Sequence, residues 1–150
     1  MSFSKESSRI SEVAFSIKYL TPSKSEETVK SGLDRMLISI DGSTQEVYEQ
    51  YRRDGKLSKV LDGVKNMVAA KKKLKKKNPE LVLQMLVVKP NEHQIKEVQE
   101  LGDKLGVDRV VYKTAQVYDF KNGNDLIPTI DKYSRYKEEA DGTWKIKNEM

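Results

Sequence analysis

The sequence contains no cysteine. That excludes disulfides, thiolate zinc sites, a cysteine nucleophile and any cysteine-ligated iron–sulfur cluster. Histidine is almost as scarce: His93 stands alone, which excludes a histidine-rich metal site. No apolar run approaches the ~18–20 residues a membrane span requires. The opening MSFSKESSRI has no apolar core of a secretory signal. The general catalytic signatures GxGxxG, GxxxxGK[ST], HExxH and GxSxG are absent as well. Gly55-Lys56-Leu57-Ser58 carries only the last part of a phosphate loop, without a glycine five positions before Gly55. These absences lead us to expect a soluble cytoplasmic protein without a membrane partner.

The chain has 150 residues, with 37% hydrophobic and 34% charged side chains and a mean hydropathy of −0.70. This is polar for a globular protein, yet the length suffices for a single core burying roughly 70% of the unfolded surface. The 28 basic and 23 acidic residues leave a formal charge of +5. The excess has one source, the segment KKKLKKK at 71–77, with six lysines in seven positions. Without it the balance would be 22 basic against 23 acidic residues, so no diffuse basic field exists.

Three apolar runs alternate with helical patterns. MLISI (36–40) is predicted as a strand ending at Asp41-Gly42, LVLQMLVVK (81–89) as a second and RVVYKTAQV (109–117) as a third. The second is apolar on both faces, as a covered parallel strand would be. Leu57, Val60, Leu61, Val64, Met67 and Val68 predict an amphipathic helix over 57–76, stopped by Asn78-Pro79. Ile95, Val98, Leu101 and Leu105 predict another over 91–105, with Asn91 as its cap and Gly106 as its end. Ser23 with Glu26, and Ser43 with Glu46, read as capping boxes. Val13, Phe15 and Ile17 alternate as in a short strand. Two βαβ units imply parallel strands joined by helical crossovers. The expected fold is α/β, an open fragment of a (β/α) barrel with about three parallel strands and flanking helices. The barrel segment spans 21–117. Residues 1–20 are weakly patterned, and 118–150 form a linker-like tail with one short strand at most, at Thr143-Trp144-Lys145-Ile146.

Asp41 falls at the C-terminal end of a strand, where α/β sheets and barrels place their ligands. It is equally a turn-former before Gly42. Ser39 shares its face. Gln84 and Lys113 interrupt apolar strands, as polar residues lining a barrel lumen or hydrogen-bonding each other would. His93 reads as an exposed histidine in the first turn of its helix. The lysine run reads as a solvated helix end, where cations favour the dipole, or as an anion-docking face. No aromatics interleave with it, as nucleic-acid modules usually require, so nucleic acid is not the expected partner.

The strands also carry a resemblance. Gly32-Leu33-Asp34-Arg35-Met36-Leu37-Ile38-Ser39-Ile40-Asp41-Gly42 resembles the fourth-strand region of radical S-adenosylmethionine enzymes with a SPASM domain. Tyr48-Glu49-Gln50-Tyr51-Arg52, Lys89-Pro90-Asn91-Glu92-His93-Gln94, Lys113-Thr114-Ala115-Gln116, Ile127-Pro128 and Lys132-Tyr133-Ser134-Arg135-Tyr136 continue it in order, over about residues 21–150. The resemblance implies a partial (β/α)6 barrel. There a [4Fe–4S] cluster on a CxxxCxxC loop cleaves S-adenosylmethionine to a radical that takes a hydrogen atom from a small-molecule or peptide substrate. It implies cofactor contacts for Ser39 and Arg52 at the ribose and carboxylate, for Thr114 and Gln116 near the adenine, and for Asp41 at the barrel mouth. The cluster ligands and the first three strands of that family have no counterpart here. The expectation is a fragment of such an oxidoreductase, supplying part of the cofactor site and inactive alone. Half a barrel also implies self-association or a partner that completes it. The alternative is a non-catalytic module that docks an anionic partner, such as RNA, through Lys71–Lys77.

Overall fold

The three apolar runs become β1 (Arg35–Ser39), β2 (Glu80–Val87) and β3 (Arg109–Thr114), all parallel and ordered β1-β2-β3. This is seen in a computed structural model that describes residues 17–148. The register sets Ser39 beside Gln84 and Gln84 beside Val111, with Leu86 opposite Lys113. Parallel neighbours cannot be joined by a tight turn. Accordingly α2 (Gln45–Tyr51) and α3 (Leu57–Lys73) cross from β1 to β2, and α4 (Ile95–Leu105) crosses from β2 to β3. A further helix, α1 (Pro22–Lys30), precedes β1 and packs on α3. The sheet does not close into a barrel.

Period-2 alternation decides which side chains meet the helices. Met36, Ile38 and Ile40 of the first strand region and Leu81, Leu83, Met85 and Val87 of β2 are buried with Val60, Val64 and Met67 of α3 and Val98 of α4. On the opposite face Val82 is buried, Leu37, Ser39, Gln84, Leu86 and Val111 are half-buried, and Lys113 is exposed. Gly63 lets α3 approach the 3-10 turn Ile17–Tyr19, since a Cβ there would lie 2.0 Å from the Ile17 carbonyl oxygen. The expected strand over 13–17 gives way to this turn at Ile17; residues 13 and 15 lie outside the described residues.

Several helix ends differ from the expected ones, for local reasons. Thr21, not Ser23, caps α1: its hydroxyl oxygen accepts from the Lys24 N–H at 3.2 Å, and Pro22 takes the first helical position, which costs no hydrogen bond. Glu26, freed from the capping box, pairs with Lys73 at 2.6 Å. Ser43 gives its hydroxyl proton to Glu97, and Thr44 stands at the start of α2. Helix α3 stops at Lys73 because Lys75 turns left-handed at φ 52°. The Lys75 and Lys76 N–H groups then bond back to the Lys72 and Lys71 carbonyls. That is a Schellman cap with lysine where glycine usually sits, at a cost of about 1–2 kcal/mol.

The tail is more ordered than its composition predicts. β4 (Tyr136–Glu138) and β5 (Trp144–Ile146) form an antiparallel hairpin, two strands where one at most was expected. Beneath it Val117, Ile127 and Tyr136 make a second small core with Phe120 and Trp144. The Tyr136 hydroxyl donates to the Val117 carbonyl at 2.8 Å and accepts from its N–H at 2.7 Å. This clamp spans nineteen residues, beyond the reach of any local pattern.

At the N-terminal edge of the sheet Glu80 of β2 lies between Arg35 of β1, at 2.7 Å, and Arg109 of β3, at 2.6 Å. The Arg35 hydrogen bond, aided by Arg109, holds the Glu80 carboxyl below its ordinary 4.5 against the opposing effect of burial. A carboxyl depressed on folding stabilises the fold above its unfolded pKa and loses that contribution as pH falls through the folded one. Glu80→Gln is therefore expected to lower the urea midpoint at neutral pH. Its deficit should shrink as pH drops below about 4.5. Urea melts from about pH 7 to pH 3 check this; a deficit constant over the whole range would contradict it.

Candidate functional site

The backbone pairing of β1 with β2 runs one residue past β1, through the Ile40 N–H to the Gln84 carbonyl at 2.9 Å. It leaves Asp41 at the C-terminal mouth of the sheet, only 1% exposed. A carboxylate buried there must find donors. Its Oδ2 accepts from Arg52 Nε at 2.7 Å and its Oδ1 from the Leu86 N–H at 3.0 Å. The Asp41 carbonyl accepts from Asn91 Nδ2 at 3.2 Å, and the same amide donates to the Leu86 carbonyl at 2.9 Å. Asn91 Oδ1 accepts from the Val88 N–H at 2.9 Å. Asn91 thus ties down the end of β2 and makes no side-chain cap for the helix that follows. Gln94, also buried, accepts from the Ser43 N–H at 2.8 Å and donates to the Thr44 hydroxyl at 3.2 Å.

Gly42 permits this closeness, because a Cβ there would sit 2.7 Å from the Tyr48 backbone nitrogen. Helix α2 therefore packs directly on the loop after β1 and delivers Tyr48 and Arg52 one turn apart. Burial pushes the Tyr48 hydroxyl above its ordinary 10.0, with Arg52 opposing and Asp41 adding to the rise. Gln45 fixes the far side. It accepts from the Leu57 N–H at 2.8 Å, supplying from a distance the cap that α3 lacks locally, and donates to the Gly55 carbonyl at 2.8 Å.

These elements enclose a cleft of about 410 Å³ beside β1, lined by Ser39, Tyr48, Arg52, Arg53, Lys56 and Lys18 among others. That lies within the range of small-molecule sites. With Arg52 matched by Asp41, the remaining Lys18, Arg53 and Lys56 outweigh Asp54, and the cleft is positive. The Ser39 hydroxyl makes no hydrogen bond to another described residue. The arrangement suits a polar ligand carrying hydroxyls and a carboxylate or phosphate.

Of the residues singled out in the sequence, Ser39 and Arg52 meet in this cleft. Asp41 does not line it; it holds Arg52 from behind, and both its carboxylate oxygens are engaged by protein. Thr114, half-buried, and Gln116, exposed, stand at the end of β3, two strands across, and do not line the cleft. Gln84 is half-buried between Ser39 and Val111, and Lys113 is exposed. His93 is exposed. Among the described residues no group of three or more carboxylates and histidines is placed to hold a metal ion, and no helix is long and apolar enough to cross a membrane. Sequence reasoning missed Tyr48, Lys18, Arg53 and Lys56 as cleft residues. Tyr48 was visible only as the first residue of the Tyr48-Glu49-Gln50-Tyr51-Arg52 segment of the resemblance. It also misread Asn91, whose place after a strand and before a helix fitted a cap equally well.

The sequence matches no protein-family model, and no curated protein is significantly similar to it.

The Asp41–Arg52 pair has a direct energetic consequence. Arg52→Ala leaves a buried carboxylate with one donor, the Leu86 N–H. With the guanidinium 43% exposed in the native pair, the expected loss is about 1–3 kcal/mol. Asp41→Ala in the same background should cost less than it does alone. A double-mutant cycle by urea denaturation measures this; additive effects would contradict the pairing.

Proposed function

We propose that this chain supplies the cofactor-binding part of a radical S-adenosylmethionine barrel of the SPASM type, with the cleft beside β1 taking the ligand's polar groups. One observation carries the reading. Ser39 and Arg52, thirteen residues apart in sequence, line a single positive cleft at the C-terminal mouth of a parallel sheet, which is where open α/β sheets and barrels bind ligands.

The residues present fit the ribose and amino-acid ends of such a ligand. The Ser39 hydroxyl can donate to or accept from a ribose hydroxyl. Arg52 spends its Nε on Asp41, and that bond orients the guanidinium so that its terminal amino groups are left for a carboxylate. Asp41 is thus a positioning residue. Tyr48 walls the cleft with its ring. The residues do not fit the cluster: the chain has no cysteine, so the reductive cleavage needs ligands from another polypeptide segment. Supporting the same reading, the sheet leaves the outer edges of β1 and β3 without a strand partner among the described residues. Such edges suit the remaining strands of a barrel.

Without the iron anchor, S-adenosylmethionine should bind with a Kd on the order of 1 mM, about 4 kcal/mol. Ser39→Ala, which removes only a half-buried hydroxyl, should weaken it several-fold with no loss of fold. Titration followed by ligand-observed NMR and calorimetry tests both. Micromolar affinity indifferent to Ser39→Ala and Arg52→Ala would overturn the assignment.

A further inference from the structure

The opposite end of the sheet holds a second cleft, independent of the reading above. It is about 470 Å³ in volume, and five lysines line it: Lys71, Lys72, Lys75, Lys76 and Lys77. Val68, Leu81, Gly106 and the carboxylate Asp108 complete its lining. The lysines are not equivalent. Lys71 donates to Asp108 at 2.8 Å. Asp108 also accepts from the Leu81 N–H at 2.7 Å, so this carboxylate is committed to the fold. Lys73, outside the cleft, is taken by Glu26. Among the described residues no carboxylate lies within salt-bridge distance of Lys72, Lys75, Lys76 or Lys77.

The helix dipole accounts for cations in the last turn, at Lys71, Lys72 and Lys73. It does not account for the three lysines beyond the end, nor for a lysine at the left-handed position that glycine would fill without strain. That left-handed turn reverses the chain, so Lys75, Lys76 and Lys77 line the same cleft as Lys71 and Lys72. Like charges so gathered repel one another unless an anion sits among them. The site is an open depression of about 470 Å³. It has no arginine fork and no aromatic face for a base to stack on. Point-charge ammonium groups around an open depression match clustered phosphate oxygens.

We infer that this cleft binds a small oligophosphate, a ligand presenting two or three linked phosphoryl groups, held by Lys72, Lys75 and Lys76.

Calorimetric titration of the full chain with inorganic tripolyphosphate tests this. The expected Kd is on the order of 100 µM at low ionic strength. It should weaken roughly tenfold as salt rises from about 0.01 M to 0.15 M and the Debye length falls from about 30 to 8 Å. Lys72→Gln with Lys76→Gln should weaken binding at least tenfold, while the control Lys96→Gln with Lys104→Gln, on α4, leaves it unchanged. Lys75→Gly removes a contact and relieves the strained turn together. It should raise the thermal midpoint and weaken binding several-fold, a combination that unfolding cannot produce. Equal loss in the control pair, or unchanged binding in both cleft variants, would overturn the proposal. So would tighter binding of a single-stranded RNA oligonucleotide than of tripolyphosphate, which would assign the lysines to a polymer.

Discussion

A carboxylate at 1% exposure and an amide at 1% exposure meet where β1 and β2 end, and the mouth of the sheet depends on how their polar atoms are matched. Strands must stop, and stopping leaves N–H and C=O groups that water cannot reach if the region is buried. Asp41 and Asn91 supply the partners. Between them they bind the Leu86 N–H and carbonyl, the Val88 N–H, the Asp41 carbonyl and the Arg52 guanidinium. Remove them and several buried backbone groups lose partners together, each worth about 1–3 kcal/mol unsatisfied. The aim of Arg52 in the candidate site hangs from this set, while Gly42 lets α2 approach and the strand register places Ser39 across from Gln84.

The two ends of the sheet are built from the same kinds of contact and put to different uses. At the N-terminal end Glu80 bridges Arg35 and Arg109, and Asp108 accepts from the Leu81 N–H and Lys71. Burial pushes the Asp108 carboxyl up, but Lys71 and the Leu81 N–H outweigh it and leave the group below its ordinary value. Acids there neutralise cations and staple strands, and the lysines left over gather in the cleft beyond α3. At the C-terminal end the acid is buried, and the cations of Lys18, Arg53 and Lys56 face the cleft beside β1.

The sheet was legible because its signal is local and periodic. Met36, Ile38 and Ile40 alternate with Leu37 and Ser39, and the β2 run is apolar on both faces, so strand positions and parallel order followed from spacing and crossover length. Beyond the end of α3, Lys71, Lys72, Lys75 and Lys76 line one cleft while Leu74 packs against the core, an arrangement made by the left-handed turn at Lys75. Helix ends were less legible, since a cap depends on which neighbour reaches first: Thr21 ahead of Ser23, and Gln45 capping α3 from twelve residues away. The hairpin at 136–146 was hidden because Tyr136 depends on Val117 and Trp144 packs over Gly123. In the site, Asp41 stood out as a charge at a strand end and Arg52 only through the resemblance, and nothing in their spacing shows that they bind each other and that only one lines the cleft.

The central claim is that Asp41 and Asn91 hold the mouth of the sheet, and amide hydrogen exchange reads it residue by residue. In the native chain the Leu86 and Val88 N–H groups, bonded to these two side chains, should exchange as slowly as Leu83 and Met85 in the middle of β2. In Asn91→Ala the Val88 amide should exchange faster by about tenfold or more while Leu83 keeps its protection relative to the global limit. A Val88 amide that exchanges as fast as a free loop in the native chain, or one unchanged by Asn91→Ala, would contradict the account.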